Sequence, residues 1–104
     1  MKVIWQPEAE NGRQQIANYI RQNFDKKTMV EFMQEVRKTT QHLCQFPEMG
    51  RIDPLFENRT NTYRSIIVNK LSKLVYRIDD DIINIVAFWD CRREPNNQAT
   101  KVKL

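Results

Sequence analysis

The sequence predicts a single α+β domain in which one short strand and two helices precede three strands. Between residues 8 and 46, apolar side chains recur every third or fourth position, which is the period of an amphipathic helix. After residue 62 the chain changes to short runs rich in Ile, Val and Tyr that are separated by turns. A length of 104 residues suffices for one hydrophobic core but not for two, so residues 1–104 are assigned to one domain.

The N-terminal elements are a strand and a helix that meet at a proline. Residues 3–5 form a short apolar run, and Pro7 follows it. Proline fits the first turn of a helix because no N–H donor is needed there. Residues 8–24 carry the helical pattern, but Gly12 interrupts it. Glycine costs about 1 kcal/mol relative to alanine inside a helix, so we expect the first helix to be weak or bent at this point.

The second helix has the cleaner apolar stripe. Its members are Met29, Phe32, Met33, Val36, Leu43 and Phe46. Thr28 stands where an N-cap is expected, and Glu31 three residues later completes a capping box. The helix is expected to end before Pro47 and to supply the main apolar surface that packs on the sheet.

A loop, a β-hairpin and a further strand are predicted next. Residues 52–62 are polar and lack a regular period, which is typical of a surface loop. Residues 63–68 and 73–78 have the composition of two antiparallel strands, with residues 69–72 as a four-residue connection. Residues 82–89 are mostly apolar, as expected for a strand buried on both faces at the centre of a sheet.

The composition limits the partners and the compartment. The net charge is +4 and the isoelectric point is near 9.3, which favours an acidic partner, either a nucleic acid or an acidic protein segment. No apolar run reaches 18 residues and no secretory leader pattern is present, so we expect a cytoplasmic protein. Cys44 and Cys91 lie far apart without neighbouring ligand residues, so we expect reduced thiols, no metal and no cofactor.

Cationic side chains on the predicted strands indicate a binding face. The predicted target-binding residues are Arg64, Lys73, Arg77, Arg92 and Arg93. Symmetric pairing about residues 69–72 would place Arg64 opposite Arg77 on one face, with the opposite face turned towards the helices. Two like charges in such a pair destabilise a sheet unless an anion relieves them. A guanidinium group suits phosphate and carboxylate because it donates two parallel hydrogen bonds.

Simpler structural explanations stand beside this functional one. The arginines can instead pair with Asp79, Asp90 or Glu94 within the protein. His42 lies off the apolar stripe of the second helix and is expected to be solvated. The three consecutive acids at residues 79–81 cannot all converge on one ion, so a solvated turn is expected there rather than a metal site.

The order of these segments resembles the RelE/ParE superfamily of bacterial type II toxins. The resemblance is carried by Tyr-Arg-Ser-Ile-Ile-Val at 63–68, Lys-Leu-Val-Tyr-Arg-Ile at 73–78, Phe-Trp-Asp-Cys-Arg-Arg-Glu-Pro at 88–95 and Phe-Pro-Glu-Met-Gly-Arg at 46–51. It implies a helical hairpin packed on a small antiparallel sheet. It also implies a cognate antitoxin that wraps the toxin, and an activity of one of two kinds: ribosome-dependent mRNA cleavage in the RelE branch, or poisoning of DNA gyrase in the ParE branch.

The choice between the branches depends on residues near the C-terminus. RelE-like ribonucleases usually place a Tyr or His there, and this chain has no Tyr after Tyr76 and no His after His42. If the protein is a ribonuclease, Arg64, Lys73 and Arg92 are the residues that match the family's cationic positions. The missing acid–base group leaves enzymatic activity uncertain and favours a ParE-like toxin that inhibits growth by binding gyrase. A degenerate, non-toxic binding module is a third alternative.

An antitoxin partner is expected in either branch. Ile66, Val68 and Val75 are predicted to lie beside the arginines of the hairpin and to form a mixed apolar and cationic groove. Such a groove suits an amphipathic, acidic segment of the antitoxin. The predicted partners are therefore this antitoxin and, as target, DNA gyrase or the ribosome with its mRNA.

Overall fold

The computed structural model describes residues 1–70 and 72–91 and has the predicted α+β architecture. The elements in chain order are β1 (Lys2–Trp5), α1 (Pro7–Asn23), α2 (Lys26–Gln45), β2 (Arg51–Ile52), a short 3₁₀ helix (Pro54–Phe56), β3 (Arg64–Val68), β4 (Ser72–Asp79) and β5 (Ile82–Asp90). The five strands form one sheet in the order β1-β5-β4-β3-β2. β1 pairs in parallel with β5 and all other pairs are antiparallel, so the sheet is mixed.

Helix α1 begins at Pro7 and runs through Gly12 without interruption. The glycine is explained by the sheet beneath it, because a Cβ atom at Gly12 would stand 2.0 Å from the carbonyl oxygen of Phe88 in β5. Ala9 and Ala17, also on α1, are buried against the same core. Small side chains on this face therefore let the helix lie close to the strand.

Helix α2 begins earlier than the sequence indicated. Its N-cap is Asp25 rather than Thr28, and the Asp25 carboxylate accepts a hydrogen bond of 2.7 Å from the Thr28 N–H. Phe32, Val36 and Leu43 of the predicted stripe are buried in the core. The last member, Phe46, is instead 63% exposed, because it is the C-cap residue and its backbone has left the helical conformation.

The main core lies between the two helices and one face of the sheet. The buried sheet residues on this side are Val68, Leu74, Tyr76, Ile83, Ile85 and Phe88. Phe88 makes an edge-on contact with Phe32 of α2 at a centroid distance of 6.0 Å. A register shift next to Val75 and Tyr76 bends the β4–β5 ladder, and β5 is buried on both faces as predicted.

A second, smaller core covers the other face of the sheet. Its buried members are Phe56, Tyr63, Val75, Val86, Ala87 and Trp89. Residues 53–63, which we call the cover segment, end at Tyr63, which was predicted to begin the next strand and is 1% exposed. The rest of the segment was predicted to belong to a surface loop at residues 52–62, but Phe56 is 2% exposed. The loop prediction was wrong at Phe56 because an isolated aromatic residue in a polar stretch leaves no periodic signal.

No helix within the described ranges is long and apolar enough to cross a membrane.

Candidate functional site

The register of the β3–β4 hairpin differs from the predicted one by one residue. Val68 pairs with Ser72 and Arg64 pairs with Tyr76, so Arg64 does not face Arg77. In the connection between the strands, Asn69 and Lys70 both have positive φ angles, of 53° and 64°. Such a left-handed pair makes a tighter connection than the predicted four residues. Because side chains alternate along a strand, the shift moves the β3 side chains to the opposite face relative to β4.

Arg64 consequently lies on the helix side of the sheet, at the start of β3. Its Nη1 donates hydrogen bonds to the carbonyl oxygens of Gly50 at 2.8 Å and Glu48 at 3.4 Å. The guanidinium thus satisfies backbone acceptors in the turn between α2 and β2. Its contacts are those of a structural residue.

Lys73 lies on the opposite face, beneath the cover segment. Its Nζ is 2.5 Å from the Asp53 carboxylate and 5.9 Å from the centre of the Trp89 ring. The Asp53 side chain is 2% exposed. Burial opposes its ionisation, but the hydrogen bonds from Lys73 and from the Leu55 N–H outweigh burial and lower the pKa of Asp53 below its ordinary value. The ion pair fastens the cover segment to the sheet.

A groove of about 590 Å³ opens beside this ion pair. Its lining includes Arg51, Ile67, Lys73, Trp89 and Cys91. Partial burial raises the pKa of the Cys91 thiol, so this side chain is a weak nucleophile at neutral pH. Lys73 in this lining already has a carboxylate partner, whereas Arg51 is an exposed cation of the lining.

Arg77 belongs to a polar network on the same face as Lys73. Its Nε donates to the Asp79 carboxylate at 2.8 Å, and its Nη1 donates to the Tyr63 hydroxyl at 3.4 Å. Asn84 also donates to Asp79, at 2.6 Å, and accepts from Gln6 at 2.8 Å. The structural alternative weighed for Arg77, pairing with Asp79, is therefore what the structure contains.

The predicted cationic face is not one surface. Arg64 lies on one side of the sheet and Arg77 on the other, so that part of the prediction was wrong. Arg92 and Arg93 lie outside the described residues. Roles in target binding for the five cations Arg64, Lys73, Arg77, Arg92 and Arg93 remain predictions.

The predicted apolar groove of Ile66, Val68 and Val75 is not formed either. Val68 is 2% exposed and belongs to the helix-side core, whereas Val75 is fully buried beneath the cover segment. Ile66 packs against the helix-side core, and its neighbour Ile67 is the residue exposed on β3, at 56%. The one-residue change of register accounts for this exchange.

The two buried tyrosines, Tyr63 and Tyr76, have occupied hydroxyl groups. The Tyr76 hydroxyl donates to the Pro47 carbonyl at 2.7 Å and accepts from the Gly50 N–H at 2.9 Å. Burial raises the pKa of Tyr76, and the ring is fully buried. The Tyr63 hydroxyl accepts from Arg77.

His42 is exposed on α2, as expected. Within residues 1–70 and 72–91, no three His, Cys, Asp or Glu side chains are grouped to hold a metal ion.

Sequence reasoning also missed that apolar side chains of the turn following α2 are exposed. Residues 46–50 are held from below by Tyr76 and Arg64, and the N–H of Met49 also donates to the Phe46 carbonyl at 3.0 Å. Phe46 and Met49 themselves project outwards and are 63% and 46% exposed. The Phe-Pro-Glu-Met-Gly-Arg segment carries part of the family resemblance, but its exposure depends on a partner 26 residues away along the chain.

Replacing Tyr76 with phenylalanine is expected to lower the free energy of unfolding by about 2 kcal/mol, because the Pro47 carbonyl and the Gly50 N–H lose their shared partner. Urea denaturation followed by circular dichroism measures the change. Tyr19→Phe removes an equally sized hydroxyl from a half-exposed ring and serves as the matched control. Equal stability of the two variants would contradict a structural role for the Tyr76 hydroxyl.

Comparisons with known proteins agree with this architecture. The chain is similar to a solved structure described as "Chromosomal ParDE TA system from P. aeruginosa", with a TM-score of 0.70 and 14% sequence identity. The match covers 86% of this chain and 95% of the matched chain in that structure. This likeness shows the fold, a small α+β domain. A family profile described as "ParE toxin of type II toxin-antitoxin system, parDE" matches residues 3–95. The chain therefore belongs to the ParE toxin family. A search of curated protein sequences returned no match.

Proposed function

We propose that the protein arrests growth by binding DNA gyrase without carrying out a chemical step of its own. The observation that carries this proposal is that the hydroxyl groups of both buried tyrosines already have hydrogen-bond partners. The hydroxyl of Tyr76 is buried between two backbone groups, and that of Tyr63 accepts from Arg77. General acid–base cleavage of RNA needs a proton acceptor and a donor within reach of the phosphate, and neither tyrosine is free for this task. Membership of the ParE family supports the same choice.

Inhibition of gyrase supercoiling tests the proposal directly. Relaxed plasmid, purified gyrase and ATP are incubated with increasing amounts of the protein, and the topoisomers are separated on an agarose gel. We expect loss of supercoiled product. Intact supercoiling together with codon-positioned cuts in translated mRNA, detected by primer extension, would instead assign the RelE-like ribonuclease activity. Unaffected growth after strong expression would favour the non-toxic binding module.

Arg92 and Arg93 are the predicted target contacts that follow directly on the end of β5 and Cys91. We propose that they contact the target. The double substitution Arg92→Ala/Arg93→Ala is expected to raise the concentration needed for half-inhibition of gyrase at least about tenfold, because removal of charge-assisted contacts weakens binding.

Lys26→Ala/Lys27→Ala is the matched control for this double substitution. It removes the same charge from two adjacent exposed residues at the start of α2, which are expected to be ordinary surface positions. The supercoiling assay should show little change for this variant. Equal loss of inhibition in the two double variants would mean that net charge matters and that the position of the arginines does not.

The protein is also proposed to bind a cognate antitoxin. The support is the ParE family, which is described as part of a toxin–antitoxin system, and the likeness to a structure of a ParDE system. A net charge of +4 is consistent with an acidic partner segment. Copurification with the product of a short adjacent reading frame is the expected result.

A further inference from the structure

The outer edge of β3 is only partly covered by β2. β2 has two residues and pairs only with the first two residues of β3. The chain before β2 leaves the sheet at Gly50, whose N–H donates to the Tyr76 hydroxyl. Among the residues that the structure describes, no strand therefore lies on the outer side of residues 66–68. Such an edge is a template to which an extended segment of another chain can add.

The backbone N–H and C=O of Ile67 point out of this edge. Along an antiparallel strand these groups face its two sides alternately, and the Tyr63 carbonyl accepts from the Asp53 N–H on the β2 side at 2.9 Å. Ile67 lies four residues after Tyr63 and has the same orientation. Its partner in this register would be Met49, but the Met49 N–H donates to the Phe46 carbonyl at 3.0 Å instead. The chain before β2 therefore does not satisfy the carbonyl of Ile67.

The side chain of Ile67 makes this edge apolar. It is 56% exposed and lies opposite Lys73 in the β3–β4 ladder. Both residues line the groove of about 590 Å³ that also contains Arg51 and Trp89, which we call the edge groove. Proteins usually protect a strand edge with a charged side chain or a proline. An exposed isoleucine gives no such protection and offers a partner apolar surface.

The unpaired charge at the edge groove is positive. Arg51 is exposed, lies on the same face as Ile67 and has no acidic partner within the described ranges. The acid of the lining, Asp53, is 2% exposed and is paired with Lys73. Glu48 is near in sequence but lines a different cavity, at the end of α2. An acidic segment along this edge is therefore attracted by Arg51.

We propose that the edge of β3 and the edge groove bind an extended, acidic segment of the target protein, which adds to the sheet beside Ile67. This inference rests on the proposed gyrase target and gives that contact a location. Cys91 also lines the edge groove, and the proposed target contacts Arg92 and Arg93 follow it directly in the chain. In strand addition, main-chain hydrogen bonds give affinity and alternate side chains give specificity.

Other occupants fit the edge groove less well. Nucleic acids are held through several phosphate contacts, whereas the described lining has one unpaired cation, Arg51. Residues 92–104 of the chain itself carry four cations and one acid, and a second copy of the chain has a net charge of +4. Arg51 repels both of these occupants.

Ile67→Glu tests the side chain, and Ile52→Glu is its matched control. Both isoleucines lie at this edge of the sheet and are 56% and 59% exposed, but they point to opposite faces. The probe is purified DNA gyrase, and binding is measured by titration calorimetry. We expect Ile67→Glu to weaken binding at least about tenfold and Ile52→Glu to change it less than about threefold.

Arg51→Glu tests the charge in the same assay. Arg37→Glu makes the same substitution on the exposed surface of α2 and is the control. We expect at least about tenfold weaker binding for Arg51→Glu and less than about threefold for Arg37→Glu. Equal weakening by these two variants would mean that net charge alone matters and would refute the assigned contact. Thermal melts check that all variants fold.

A peptide experiment separates this inference from the proposed gyrase activity. The probes are two synthetic hexapeptides in which valine alternates with glutamate or with lysine, and the amide signals of residues 66–69 are followed by nuclear magnetic resonance. We expect the glutamate peptide to shift these signals and the lysine peptide to leave them unchanged. Ile67→Pro lacks the outward N–H but suits an edge strand, and it should bind the glutamate peptide at least about fivefold more weakly than the wild type.

The outcomes distinguish the two proposals. No binding of the glutamate peptide, or equal binding of both peptides, would overturn the edge site whatever gyrase does. If Ile67→Glu weakened binding to the protein of the adjacent reading frame but not to gyrase, the edge would belong to the antitoxin and the assignment to the target would be wrong. Binding of the glutamate peptide by a wild-type protein that does not bind gyrase would support the edge site and refute the gyrase target.

Discussion

Replacing Gly12 with alanine is expected to lower the free energy of unfolding by about 2 kcal/mol, even though alanine is the better helix former. In an open helix this substitution gains roughly 1 kcal/mol. Here the added methyl group would stand 2.0 Å from the carbonyl oxygen of Phe88, and that oxygen belongs to a buried strand that cannot move aside alone. Forcing an extra methyl group into a packed contact usually costs about 1–3 kcal/mol, occasionally more, so the clash reverses the sign.

Asn11→Ala is the control for this prediction, because Asn11 is the exposed neighbour of Gly12 on α1. Its effect should stay within about 0.5 kcal/mol, as is usual for surface substitutions. Urea denaturation of the three proteins, followed by circular dichroism, gives the comparison. A Gly12→Ala variant as stable as the wild type would mean that α1 does not approach β5 as closely as described.

Asp53→Ala is expected to destabilise the protein by about 3 kcal/mol. The substitution leaves the ammonium group of Lys73, whose side chain is 17% exposed, without its carboxylate partner. Removing one member of a buried ion pair typically costs about 3–5 kcal/mol because the remaining charge is uncompensated. The N–H of Leu55 also loses its acceptor, so the 3₁₀ helix of the cover segment loses its cap.

The double variant Asp53→Ala/Lys73→Met separates the lost charge pair from the lost packing. It should recover part of the stability, since no unpaired charge then remains beneath the cover segment. Glu10→Ala removes one partner of the more exposed Glu10–Arg13 pair and should cost less than about 1 kcal/mol. If Asp53→Ala cost no more than Glu10→Ala, the ion pair would not be holding the cover segment.

The same carboxylate predicts how stability depends on pH. The pKa of Asp53 is lower in the folded protein than its ordinary value, so the folded state favours the ionised form. This contribution is complete above the unfolded pKa of about 4 and disappears as the pH falls through the lower folded value. The stability difference between the wild type and Asp53→Asn should therefore shrink as the pH is lowered from about 6 to about 3. A difference that stays constant over this range would contradict the assigned ionisation.

Local patterns were enough to predict the main elements. The apolar stripe of α2 and the runs that became β3, β4 and β5 were recognisable because each element repeats its own period within a few residues. The family resemblance rested on the order of these segments, and the profile match over residues 3–95 agrees with it. Features without a local period were missed, above all the packing of Phe56 of the cover segment against the sheet.

The candidate site was harder to predict than the fold. A connection one residue shorter than expected, with positive φ angles at Asn69 and Lys70, separated Arg64 from Arg77. No propensity distinguishes these two registers, because both put apolar side chains on each face of the hairpin. The partner of Lys73 was also missed, because Asp53 lies 20 residues before it in the sequence. The partner of Arg77 was among the structural alternatives, since Asp79 is only two residues away.

By itself, the sequence determined the order of the main helices and strands, the family and the positive charge of this protein. Each of these properties depends on neighbouring residues or on the overall composition. Only the tertiary structure decided which cations are neutralised and which apolar side chains remain exposed. The physical reason is that burial and pairing depend on groups far apart in the chain. Phe46 is exposed because Tyr76 and Arg64 hold the turn that follows it, and Lys73 is paired because the cover segment brings Asp53 to it.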